Sequence, residues 1–289
     1  MNTAFAPHNT YSVHDRTSTE SIQVRQLQTI YGKDIPRFWF QQNPVLTCML
    51  IGLSVSFPAG ERYFIDSVRA FEEQVRDPAL RQAIKAFVGQ EANHTREHRK
   101  ANNFFASCGF PIEAIETKIA ARIRQIQNQS TAEENLARTA ALEHFTAIMA
   151  KAFLDHPQTL ETMHPTMARL WIWHAIEEQE HKSVAFDVYR TQVGDEDLRR
   201  RIMLEVSFFF ILLNTLRTLT LLHESGQLFN LGAWGRSMDL LWGRVGVFRK
   251  TIPAYLAYFR RGFHPDQIPD SPAERALTQL GELVRSAKS

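Results

Sequence analysis

Several common functional classes find little support in this 289-residue chain. Only two cysteines occur, Cys48 and Cys108, each among apolar neighbours and in no CxxC or CxH arrangement. That excludes a disulfide framework and a thiolate metal site, and reads as two reduced core thiols in a cytoplasmic protein. Charge of one sign is also lacking. The chain carries 33 basic against 31 acidic residues, a net of +2, so no nucleic-acid footprint is expected. No Gly-rich phosphate loop or dinucleotide fingerprint is present, and no run alternates long enough to demand a sheet. The polar stretch Met1–Asp15 lacks the basic patch and apolar core of a secretory signal and reads as a disordered tail.

What remains is helix. Glycine and proline fall mainly between long periodic stretches, the pattern of an all-α protein. Asp77-Pro78 reads as an N-cap followed by a first-turn proline, and Cys108-Gly109 closes that helix. A capping box of Ser130 and Glu133 is expected to open a helix running to about Asp155. Another helix is expected over about Thr166–Gln192, a further one from Asp195, and a short one from the box Ser271-Pro272-Ala273-Glu274. Val45–Phe57 and Glu61–Val75, separated by Pro58-Ala59-Gly60, form either one kinked helix or two.

The chemistry-bearing residues lie on the apolar stripes. The stripe Leu80, Ile84, Phe87, Ala101, Phe105 passes through Glu91, His94 and His98. Met167, Trp171, Ala185 and Val188 mark a second stripe that passes through His174, Glu178 and His181. A carboxylate and an imidazole on the core side of a helix are costly unless compensated, and Glu-x-x-His supplies two ligands from one face. Glu61 and Glu143 are inward carboxylates on two other apolar stripes. The order Glu61, Glu91-x-x-His94, Glu143, Glu178-x-x-His181 has separations of 30, 52 and 35 residues. The short steps suit antiparallel neighbours, and the long one leaves room for a crossover helix near Pro111–Gln127. Two divalent cations would neutralise four carboxylates. Glu177 and Glu180 fall on other faces and read as solvated or supporting groups, and His98 reads first as a core histidine, with a supporting group or a proton shuttle as alternatives.

The stretches Phe57-Pro58-Ala59-Gly60-Glu61-Arg62-Tyr63-Phe64, Gln90-Glu91-Ala92-Asn93-His94 and Glu178-Gln179-Glu180-His181-Lys182 resemble a bacterial family described as predicted metal-dependent hydrolases. The ligand order also resembles that of ferritin-like di-iron oxidases and oxygenases. His174, four residues before Glu178, is similar to the additional histidine of the p-aminobenzoate N-oxygenase type. That resemblance implies a third imidazole on the metal held by Glu178 and His181.

The expected fold is therefore an all-α, ferritin-like four-helix bundle with a dimetal site and additional C-terminal helices. Its expected divisions are a tail over 1–15, the metal-binding bundle over 16–195, and an apolar helical extension over 196–289. The expected metal ligands are Glu61, Glu91, His94, Glu143, His174, Glu178 and His181, with Glu91 and Glu178 bridging. Two iron ions come first as cofactor, with manganese and zinc as alternatives. The leading function is an O2-dependent oxidase or oxygenase acting on a small apolar molecule. The alternatives are a dimetal hydrolase, which lacks HExxH and Gly-x-Ser-x-Gly here, and a non-catalytic iron-binding ferroxidase. The apolar 206–222 segment is read as a buried helix covering the bundle, as the lining of a substrate tunnel, or as a peripheral membrane contact.

Overall fold

A computed structural model describes residues 22–271 apart from 244. The tail over 1–15 and the helix expected from Ser271 lie outside those residues. The described chain is all-helical and contains no β-strand, its single bridge joining Phe40 to Met163. Four helical segments form the metal-binding bundle: α2 (Phe57–Glu72), α3 (Pro78–Ser107), α5 (Ala132–Leu154), and α7 (Pro165–His181) continued by α8 (Val184–Gln192). α1 (Pro44–Ser54) precedes α2 and is buried along its whole length. α4 (Ile112–Gln129) is the crossover between α3 and α5, where the 52-residue step required one. The short α6 (Pro157–Leu160) turns the chain from α5 towards α7.

Local chemistry explains most of the boundaries. The Asp77 side chain accepts from Ala79 N with Pro78 in the first turn, and Gly109 ends α3 at φ 84°. The box that opens α5 is one residue later than expected: Thr131 accepts from Glu134 N, and Glu134 returns to Thr131 N. The break between α1 and α2 falls at Val55-Ser56, before Pro58, which sits in the first turn of α2 where proline is tolerated. The helix expected over about Thr166–Gln192 is interrupted at Lys182-Ser183, directly after His181.

The remaining helices, α9 (Glu196–Glu224), α10 (Leu231–Trp242) and α11 (Val247–Ala257), pack on the outside. α9 lies across α1 and α5, and α11 lies along α5. Gly52 permits the close approach of α9, since a Cβ there would stand 3.0 Å from Asn214 Oδ1. The expectation of a buried 206–222 helix fails for one face: Phe208 and Ile211 are more than 60% exposed. Of the expected core thiols, Cys48 is buried and Cys108 half-buried, and both are free.

Candidate metal centre

α3 and α7 run antiparallel through the centre, and their ligand positions set its long axis. Glu91 and His181 meet at one end, with 3.2 Å between Glu91 Oε1 and His181 Nε2. His94 and His174 meet at the other, their ring centroids 4.3 Å apart. Glu178 lies between: Oε1 is 3.1 Å from His174 Nε2 and 3.8 Å from His94 Nδ1, while Oε2 is 3.5 Å from His181 Nε2. α2 adds Glu61 to the His94 end, and α5 places Glu143 Oε2 3.3 Å from His181 Nε2.

Two sets of donors could each hold one ion. Glu61, His94 and His174 form the first, Glu91, Glu178 and His181 the second, and within each set the ligand atoms lie within 4.8 Å of one another. Every one of these side chains is buried. The fold thus brings all seven candidate residues together. His174, however, groups with Glu61 and His94 rather than with His181. Seven residues separate the two histidines, which is about 10 Å along a helix axis, so they reach opposite ends of the centre.

The polar inventory fits bound cations. Eight buried atoms here make no hydrogen bond: Glu61 Oε1, both oxygens of Glu91 and of Glu143, Glu178 Oε2, His94 Nδ1 and His181 Nε2. Each such group costs about 1–3 kcal/mol, more when charged, unless something compensates it. The outward nitrogens are satisfied. His94 Nε2 meets Glu177 Oε2 at 3.1 Å, and His181 Nδ1 meets Gln90 Oε1 at 2.9 Å, leaving Nδ1 of one and Nε2 of the other aimed inward. Partners of this kind orient metal-ligating imidazoles.

Without cations, burial and mutual repulsion govern protonation. Burial, reinforced by the charges of Glu178 and Glu91 and opposed by His181, lifts Glu143 to about 8. Burial and the neighbouring Glu91 push Glu61 well above the carboxylate range. Burial alone would lower His94, but the hydrogen bond to Glu177 and the nearby Glu91 carboxylate outweigh it and raise the imidazole to about 10. Burial and the charge of His94 bring His174 down to about 4. Protons occupy places that cations would take.

An outer network completes the centre, and sequence reasoning anticipated its carboxylates Glu177 and Glu180 but missed Arg25 and Gln90. Glu177 is fully buried and takes the supporting one of its two expected roles. Arg25, on the extended segment before α1, donates its backbone N–H to Glu177 Oε1 at 3.0 Å and grips Glu180 through both terminal guanidinium nitrogens at 2.7–2.8 Å. Gln90 Nε2 donates to the same Glu180. One arginine therefore braces the carboxylate behind His94 and, through Glu180 and Gln90, the support of His181. Gly89 allows the segment to lie this close, since a Cβ there would meet Val24 Cγ2 at 2.9 Å. No helical periodicity marks an extended strap, so only the fold reveals it.

His98 also departs from a plain core role. Its Nε2 faces His174 Nδ1 at 3.1 Å, and its Nδ1 meets Ser54 Oγ at 2.9 Å. His94-Thr95-Arg96-Glu97-His98 matches the inverted zinc motif H-x-x-E-H, a signal absent from the expectations above. Its members do not converge, because the Glu97 carboxylate turns to Arg96 and Lys100 while His98 is engaged by Ser54 and His174.

Residues 23–268 match the model of a family described as predicted metal-dependent hydrolases. The chain belongs to that family. The match spans every candidate ligand and the Arg25 strap. No curated protein and no solved structure matches the chain. The family description names a class of enzyme without saying which metal is bound.

Proposed function

We propose that the centre is di-iron and that the protein is an O2-dependent oxidase or oxygenase of a small apolar compound. The observation carrying this reading is a small apolar cleft, about 30 Å³ of free cavity and partly open to solvent, whose lining includes His174. Leu53, Phe57, Met149, Phe153 and Trp171 are among its walls. Thr146 also borders it, but that hydroxyl already donates to Glu143 O. The ring nitrogens of His174 likewise meet Glu178 and His98, so the walls suit a molecule held by apolar contact.

The donor set of carboxylates and imidazoles, without sulfur, suits iron or manganese. A pair of ferrous ions there would supply two electrons to O2, any further reducing equivalents coming from a separate donor. The chain's own work is to fix the imidazoles through Glu177, Gln90 and His98, to set carboxylates from four helices around the ions, and to keep water out with Phe57 and Trp171. The family description favours a second reading, hydrolysis, in which the ions would acidify a water.

Anaerobic loading with ferrous iron followed by O2 separates the two. Rapid O2 uptake in proportion to bound iron is the expected result. An iron form inert to O2, alongside a zinc form that cleaves esters, would overturn the oxidase reading in favour of hydrolysis.

A further inference from the structure

α9 contains a stretch long and apolar enough to cross a membrane, yet only 28% of that stretch is buried. It does not cross one, because its inner face is packed on the protein through Ile202, Met203, Val206, Leu221 and Leu222. Its outer face carries Leu204, Phe208, Phe209, Ile211, Leu212 and Leu216, all exposed. The spacing places them on one side of the helix, and from 204 to 220 it rises about 24 Å. Charge on this stretch is limited to Glu205, which pairs with Arg138, and the half-buried Arg217.

The apolar surface extends past α9. Ser207 on α9 bonds Tyr255 on α11, and α11 exposes Ile252 and Leu256 nearby. α10, packed on α1 and α11, exposes Leu231, Met238 and Trp242. Exposed basic residues accompany them: Arg201, Arg236, Arg249, Lys250, Arg260 and Arg261. Residues 196–262 hold ten Lys/Arg against five Asp/Glu, a net of +5 in a chain whose total is +2.

We propose that α9, α10 and α11 form a docking face for a lipid bilayer with anionic headgroups. Large aliphatic and aromatic side chains projecting from a convex helix enter acyl chains without needing a complementary groove, and the basic groups meet lipid phosphates. A second copy of the chain fits less well. A two-fold interface would lay this net-positive face against itself, where like charges repel.

The test is co-sedimentation of the full chain with vesicles of phosphatidylcholine, alone or mixed with phosphatidylglycerol, together with light scattering to read oligomeric state. The mixed vesicles should bind the protein, and about 0.5 M salt should weaken binding without abolishing it. Phe208→Glu with Ile211→Glu should lower the partition coefficient about tenfold or more with unchanged circular dichroism. Should that pair misfold, Leu231→Glu on α10 asks the same question at a position 79% exposed. No binding by the unsubstituted chain, or binding that these changes leave intact, overturns the proposal. A dimer that the changes split, with no vesicle binding, assigns the face to a second copy instead.

Discussion

Replacing Glu143 by glutamine distinguishes a metal ligand from a structural ion-pair partner. Both Glu143 oxygens are buried without a hydrogen bond, and the carboxyl sits 3.3 Å from His181 Nε2. With its pKa lifted to about 8, the metal-free group is largely protonated at pH 7. Glutamine has nearly the same shape and no charge, so metal-free stability should change by little more than about 1 kcal/mol. The loaded protein behaves differently. An ion present at a hundred times its Kd adds about 2.7 kcal/mol, roughly 5–10 °C in Tm for a chain of this size. If losing one anionic donor weakens binding a hundredfold, the same concentration equals Kd and adds only about 0.4 kcal/mol, or about 1 °C. Thermal unfolding with and without manganese, which avoids reaction with O2, measures both quantities. The expected pattern is an unchanged metal-free Tm and a lost metal increment. The reverse, a metal-free loss of about 3–5 kcal/mol with the increment intact, would refute the reasoning and leave Glu143 as a partner of a buried histidine.

Gln90→Leu or Glu177→Leu should reduce metal affinity about 10–100-fold while two ions still bind at saturation, because each removes the acceptor that orients an imidazole; titration with a competing chelator measures this. Thr131→Ala should cost about 1 kcal/mol in denaturant unfolding and Ser130→Ala much less, since the capping bond belongs to Thr131. Burial holds the His144 imidazole down to about 4, where its ordinary value is 6.5. The unfolded chain therefore binds the proton first, and stability falls as pH drops below about 6.5, by roughly 3 kcal/mol at pH 4 from this residue alone. His144→Gln should remove that part of the slope in pH-dependent unfolding. Ala150→Phe should fill the cleft at His174 and abolish binding of a small apolar fluorophore while leaving metal content unchanged.

The chain's own periodicity determined the all-helical fold and the candidate donors. An inward carboxylate on an apolar stripe is visible in one dimension, because 3.6 residues per turn tie position to face. Hence Glu61, Glu91, His94, Glu143, Glu178 and His181 could be named without coordinates, and the crossover before α5 followed from a 52-residue gap. Facing is all that periodicity encodes. The partnership of His174 with His94 rather than His181 depends on α3 and α7 running antiparallel along the centre, a relation between helices. Arg25 reaches Glu177 across 152 residues from a segment with no period. The exposure of Phe208 and Ile211 depends on where α9 comes to rest, since an apolar helix shows the same pattern whether its outer face meets protein, water or lipid.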